Sequence, residues 1–401
     1  MKNLEHLDIG DCKIHYFGLD IFENLKSLKY LYLTNVKGLN TNLYGLISLE
    51  EFSIYGVNNL EIVDLSRSKG LIDAHFENCK ELSVIIFCRK TSLGELTLIE
   101  CPKVEEIKNL ANVAGLYIDS RLLNTFTSGP DSFYQSLVSL DIHKKDNIEI
   151  NDLQLSKFVD VQSLVVNDFN ELISPFKSIK KLEELRASSC TKLHKDAVKH
   201  LKHLTLLAVH NCINMDDNSF KELTNLTELY VVGCTQLRNP FAGLAKLEEL
   251  HVNECINLQN NALIELINLK NLECMDCIQL TDKSFNGLVN LEEIDVTGCV
   301  SLIKPFDDMK ELRIITAIRC KLDREAFKNT IHLQKLDISE HKYTTGKFYV
   351  TDFKHLKSLT ELYCDCLYYK IDGEDTYLDP DNTLLWHELL PPSVYIYDRE
   401  E

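Results

Sequence analysis

The chain has 401 residues, is 45% hydrophobic, and holds only 15 glycines and 8 prolines, a composition that argues against extensive disorder. Its formal net charge of -18 argues against nonspecific binding to nucleic acid or an anionic membrane, since phosphate and anionic lipid repel an acidic surface. A protein partner with a basic face fits that charge; nucleic acid, membrane and small-molecule partners are not expected.

The opening stretch, MKNLEHLDIGDCKIHYFGLDIFENL, carries charges throughout and reads as part of a soluble fold rather than a signal peptide. From Leu4 onward one frame recurs: apolar residues at its first, fourth and sixth positions and a small or apolar residue at its ninth. Frames start at Leu4, Leu28, Leu49, Leu71, Leu93, Val113, Leu137, Val161, Leu182, Leu204, Leu226, Leu247, Leu269, Leu291, Leu312, Leu333 and Leu359, about 22 residues apart. That is a repeat period, not a domain period. The fourth and sixth positions, Leu250 and Val252 for example, point the same way on a short strand, so each repeat contributes one strand and stacking makes the strands parallel. The spacing loosens from Val113 to Phe169, where a kink or insertion is expected, with an alternative boundary near 121–136.

Between frames, KDAVKHLKHL, DDNSFKELTNL and TDKSFNGLVNL combine a polar start with apolar spacing that predicts a short helix. SPFKSIKKL, NPFAGLAKL and KPFDDMKEL place Pro175, Pro240 and Pro305 at every third repeat and predict a less helical connection there. Near the end, DPDNTLLWHELLPPSVYIYD predicts a helix around Trp386 and a last strand at Val394–Tyr397. The organisation expected is therefore a solenoid over 1–378 and a cap over 379–401, with an acidic end that is either solvated or a docking strip.

Ten of the 14 cysteines stand at the ninth position, among them Cys190, Cys212, Cys234, Cys255, Cys277, Cys299 and Cys320. A small soft side chain with a weakly donating thiol suits a turn into the core. One such column pairs poorly into disulfides, so reduced thiols and a cytoplasmic location are expected, with the nucleus as alternative. The CMDC segment, Cys274 to Cys277, splits between two core positions and lacks a second ligand pair; the CDC of Cys364 and Cys366 splits between an inward and an outward position. No HExxH, GxSxG, phosphate loop or GxGxxG occurs, and DGEDTYLDPDN lacks the spacing of a calcium loop. Catalysis, a metal and a cofactor are not expected.

The LxxLxLxxC frame with LTDKSFxxLxNL resembles leucine-rich repeat proteins of the ribonuclease-inhibitor-like, cysteine-containing class, as in F-box and trypanosome leucine-rich repeat proteins. The resemblance implies an α/β fold: a right-handed solenoid, or horseshoe, with about 17 short parallel strands on the concave face. Short helices or irregular turns would form the convex face. Function is then carried by the variable outward strand residues at the fifth and seventh positions: Arg186, Ala208, His210, Tyr230, Val232, His251, Asn253, Glu273 and Met275, and nearer the start Tyr32, Tyr55, His75 and Tyr117. Aromatic, arginine and methionine side chains on a solvent-facing sheet suit a protein interface, although single exposed apolar residues are common on any surface. The expected function is a non-catalytic interaction scaffold; the alternative is substrate recognition within a ubiquitin ligase.

Overall fold

A computed structural model of the chain describes residues 3–12, 22–39, 43–127, 131–340, 347–364, 367–371, 374–377 and 395–397. They fall into two compact units, Met1–Ala187 and Ser188–Glu401.

In the first unit the strands are His6–Gly10, Tyr30–Thr34, Glu51–Tyr55, Asp73–Glu77, Val84–Ile99, Glu106–Asp119, Ser139–His143, Ser163–Val165 and Glu184–Arg186. Each pairs in parallel with the next, and the fourth frame positions stay opposite one another: Leu7, Leu31, Phe52, Ala74, Leu96, Leu116, Leu140, Leu164 and Leu185. A second lane of parallel strands, Ile62–Leu65, Val84–Phe87 and Glu106–Lys108, runs beside the first and buries Val63, Leu65, Ile85 and Phe87. The loosened stretch after Val113 holds short helices at Leu123–Thr127, Asp131–Ser136 and Asp152–Leu155. Asn151 begins the last of them with a capping box: its side chain accepts from Leu153 and Gln154 N–H groups while Gln154 reaches back to the Asn151 N–H.

In the second unit the strands are shorter and more regular: Leu206–Ala208, Glu228–Tyr230, Glu249–His251, Asn271–Glu273, Glu293–Asp295, Ile314–Thr316, Lys335–Asp337, Glu361–Tyr363 and Tyr395–Tyr397. All pair in parallel, again with the fourth position opposite the fourth position from Leu207 to Leu362. Tyr395–Tyr397 adds beside Glu361–Tyr363. The helix expected around Trp386 lies outside the described residues, as do Cys366 and Phe17. A small separate sheet of Phe348–Tyr349, Leu367–Ile371 and Glu374–Tyr377 completes the unit.

A single repeat shows what holds the stack together. Leu247, Leu250, Val252, Cys255, Leu258, Leu263 and Leu266 are all fully buried, and no isolated 22-residue segment could bury them. The cysteine column adds directional bonds. Each thiol donates to the sixth-position carbonyl of the preceding repeat: Cys234 to Val209, Cys255 to Val231, Cys277 to Val252, Cys299 to Cys274 and Cys320 to Val296, at 3.1–3.2 Å. An asparagine ladder on the connecting side does the same through amides, Asn225 to Lys202 O, Asn268 to Ala245 O and Asn290 to Ile267 O.

The residue at the eighth frame position, which precedes the ladder cysteine in most repeats, is left-handed. Ser189, Asn211, Gly233, Glu254, Asp276, Gly298, Arg319 and Glu340, all at the eighth position, have φ between 54 and 75°. This conformation swings the chain out of the strand while the eighth N–H donates to the seventh-position carbonyl of the next repeat, as Glu254 does to Met275 (2.8 Å) and Asp276 to Thr297 (2.7 Å).

The connecting segments are turns where short helices were expected. Of the helix-like segments only TDKSFNGLVNL keeps a helical turn, the 3-10 turn Asp282–Phe285; 195–204 and 217–226 form successive turns, as do the proline-bearing segments. In these segments the apolar residues anchor one by one, as Val198, Leu201, Phe220 and Leu223 do in the core, without a continuous helical face.

Candidate protein-binding face

The outward side of the second unit's sheet gathers its chemistry into one stripe. Rings of His210, two residues past the strand Leu206–Ala208, and of Tyr230 and His251, at the ends of the next two strands, stand in line with centroids 6.1 and 4.7 Å apart. The Tyr230 hydroxyl, with one proton to donate, lies 2.7 Å from Glu249 Oε1 and 3.0 Å from Glu228 Oε2. His251 places Nε2 3.0 Å from Glu249 Oε1 and Nδ1 3.1 Å from Glu273 Oε2. Burial, then the two carboxylates, pushes the Tyr230 hydroxyl well above its ordinary range. Burial, reinforced by His251, holds the His210 imidazole below the usual histidine value, and its buried Nδ1 has no hydrogen-bond partner among the described residues.

The expected site residues divide accordingly. His210, Tyr230, His251 and Glu273 come together; Val232 and Met275 stand half-buried in the turns, two residues past the ends of their strands. Asn253 behaves differently from a surface contact. It is 6% exposed, donates to Glu273 Oε2 (3.0 Å) and accepts the Met275 N–H (2.8 Å), so its amide ties repeats together. Ala208 is also buried. Arg186 belongs to the first unit and is exposed at the end of its last strand.

In the first unit the four aromatic positions do not form one cluster. Ser53 stands between Tyr32 and His75, and Thr97 between His75 and Tyr117, in the paired register. Tyr32 packs instead against His6, with ring centroids 5.3 Å apart, and burial raises its hydroxyl. His75 Nδ1 lies 3.0 Å from Thr97 Oγ1, and Tyr55 is exposed at a strand end.

Residues outside the expected set, with Glu273 from within it, carry the electrostatics. From Leu206 to Ile318 the outward positions hold the carboxylates Glu228, Glu249, Glu273, Glu293 and Asp295 and no lysine or arginine. The neighbouring second-position column is compensated: Lys270 bonds Glu248 (2.7 Å) and Arg313 faces Glu292 (3.6 Å). Glu293 and Asp295 were readable from the frame, since they occupy its third and fifth positions one repeat beyond the stretch Arg186 to Met275. Together with Glu249, His251, Asn271, Glu273, Ile314 and Thr316 they line a shallow depression of about 310 Å³.

The buried thiols beneath this face are chemically quiet. Burial pushes the thiols of Cys212, Cys255 and Cys320 up to about 12, far from a reactive thiolate. Cys274 and Cys277 are both fully buried with thiols raised. Among the described residues no group of three or more His, Cys, Asp or Glu side chains gathers as a metal site, and no helix is long and apolar enough to cross a membrane.

Comparison with known proteins accords with this geometry. The BspA type leucine-rich repeat region matches residues 1–120 in six copies. Among solved structures, a leucine-rich repeat protein of Leptospira interrogans superposes with a TM-score of 0.55 at 18% identity, over 99% of this chain and 90% of that one. The fold is a leucine-rich repeat solenoid. Two further leucine-rich repeat neighbours, TLR13 in complex with ssRNA13 and the mouse RP105/MD-1 complex, give TM-scores of 0.52 and 0.51 at 16% and 15% identity, each over 90% of this chain and 70% of that one. At these identities the likeness is one of fold. No curated protein sequence matches this chain significantly.

Proposed function

We propose that this leucine-rich repeat chain is a non-catalytic interaction scaffold, and that a protein partner with a basic face docks on the outward strand residues of the second unit. The observation that carries this reading is the charge contrast between adjacent columns: from Leu206 to Ile318 lysine and arginine compensate the second frame position and are absent from the outward positions beside it, the next lysine on the face being Lys335, paired with Glu361. A solvated surface has no reason to segregate its cations so. Electrostatic complementarity of that kind speeds encounter with a basic partner and selects against acidic ones. The aromatic rings of Tyr230 and His251 supply rigid contact area in the same stripe. The buried thiol column, whose bonds require the reduced form, supports a reducing compartment, the cytoplasm first and the nucleus as alternative.

The test is crosslinking mass spectrometry of the tagged chain in its native extract, followed by titration of the recovered partner against Tyr230→Ala and His251→Ala. Crosslinks clustered around 228–297 and weaker binding by both variants, at unchanged circular dichroism, are the expected outcome. Unchanged affinity in both variants would remove the face from the partner's footprint.

A further inference from the structure

The flank of the second unit that leads into its strands carries charges in an order of its own. In the column of residues just before each frame, Lys246, Asn268, Asn290 and Glu311 follow one another on successive repeats; in the second-position column beside it, Glu248, Lys270, Glu292 and Arg313 do. Residues of both columns line a shallow depression of about 700 Å³. Next to it stand Ile267 and Val289, 52% and 48% exposed. The second-position charges pair within the chain, Lys270 with Glu248 (2.7 Å) and Arg313 with Glu292 (3.6 Å). The ends of the first column do not. The Lys246 ammonium bonds only the Asn225 side-chain oxygen (2.7 Å), and the Glu311 carboxylate has no hydrogen bond or ion pair among the described residues. Lys246 and Glu311 stand three repeats apart, roughly 14–15 Å at the spacing of parallel strands, and do not meet.

We propose that this flank is the interface of a homodimer, on which a second copy of the chain packs about a two-fold axis passing between the repeats that begin at Leu269 and Leu291. Such an axis brings the same patch of both copies together and reverses the order of the repeats. Lys246 then faces Glu311 of the second copy, Lys270 faces Glu292 and Glu248 faces Arg313, so each of these charged pairs is of opposite sign. Ile267 meets Val289 beside the axis, giving an apolar middle within a charged rim. The register is specific. An axis through the repeat of Leu269 would set Lys270 against its own copy and Glu248 against Glu292; one through the repeat of Leu291 would set Lys270 against Arg313 and Glu292 against its own copy. Like charges oppose both alternatives. A second copy fits better than an unrelated protein because the pattern complements its own reverse, which a foreign partner does not require. The flank uses none of the outward strand residues, so this inference does not depend on the docking reading above.

Sedimentation velocity of the full chain over a range of concentrations should show a monomer–dimer equilibrium that shifts toward monomer as salt is raised. Lys246→Glu sets a carboxylate against Glu311 at both ends of the interface, and Glu311→Lys sets an ammonium against Lys246; each should weaken the dimer at least about tenfold. Lys246→Glu/Glu311→Lys, and an equimolar mixture of the two single variants, should restore it, since both return opposite charges to the two contacts. Val289→Asp, at an exposed position, should leave only monomer with unchanged circular dichroism. Amine crosslinking should join Lys270 to Lys270, a link that a single chain cannot make. A monomer at every concentration, a dimer indifferent to Lys246→Glu and Val289→Asp, or single-variant losses that the charge swap does not restore would overturn the proposal. Crosslinks from this flank to another protein in native extract, without the Lys270 to Lys270 link, would give the flank a different occupant and overturn it as well.

Discussion

Gly298→Ala tests the left-handed column directly. Gly298 has φ +75°, and a Cβ built there would lie 1.9 Å from Asp276 Oδ1 and 2.9 Å from its Cγ. Alanine therefore meets two separate costs. Holding an L-residue in the left-handed region costs about 1–2 kcal/mol, and forcing a methyl into occupied space costs about 1–3 kcal/mol, so the variant should lose roughly 2–5 kcal/mol. The two terms can be separated, because the obstruction comes from one side chain. In an Asp276→Gly background the carboxylate is gone; its contact with Arg319, at 3.8 Å and half-exposed on both sides, contributes little. There Gly298→Ala should cost only the conformational term, about 1–2 kcal/mol, leaving a coupling of about 1–3 kcal/mol in the double-mutant cycle. Urea unfolding followed by far-ultraviolet circular dichroism measures the cycle, and hydrogen exchange of peptides spanning 269–300 localises it if the stack does not unfold in one step. A cost for Gly298→Ala that is the same in both backgrounds would refute the proposed packing of one eighth position over the next.

Burial raises the Asp295 carboxyl above its ordinary range, so Asp295→Asn should stabilise the chain at neutral pH. A carboxyl raised in the folded state favours folding fully only below its unfolded value of about 3.9 and loses that contribution as pH rises through the folded value. The gain in melting temperature should therefore shrink as pH falls into the ordinary carboxylate range, and no gain at neutral pH would contradict the burial argument. Native alkylation at mildly alkaline pH, read by mass spectrometry, should label the partly exposed Cys12 and Cys88 and spare Cys212, Cys255 and Cys320; rapid labelling of Cys255 would show that the column opens or is misplaced. Leu250→Ala, at a fully buried position, should cost about 2–5 kcal/mol. Ile256→Ser, at a position 43% exposed, should stay within about 0.5 kcal/mol by the same denaturation assay.

The parts legible in the sequence were those set by periodicity. Leu247, Leu250 and Val252 announced a core and a strand through spacing alone, and Cys255 announced its inward turn. The left-handed eighth position left a fainter trace: Asn211, Gly233, Asp276 and Gly298 suit it, but Glu254 and Arg319 adopt it without the usual residue preference because neighbouring repeats impose it. The second strand lane at Ile62–Leu65 and Val84–Phe87 was hidden by short apolar runs that periodicity assigns poorly. On the candidate face, position gave direction but not depth. Asn253 is outward by count and buried in fact, because Glu273 and Met275 close over its amide. The contrast between compensated and bare carboxylates needed the register between strands, which no single repeat contains.

The strand pairing has a mechanical and kinetic side. Partners in the second unit, such as Leu229 and Leu250 or Leu272 and Ile294, are one repeat apart in sequence however long the stack grows. Such short-range pairing lets ordering begin at any neighbouring pair and spread outward, a fast route for so large a parallel sheet. Under tension applied at its ends the same stack should yield from the termini inward, one repeat at a time. Each step of about 22 residues would release roughly 70–80 Å of extended chain, so a force trace should show a regular staircase rather than one rupture.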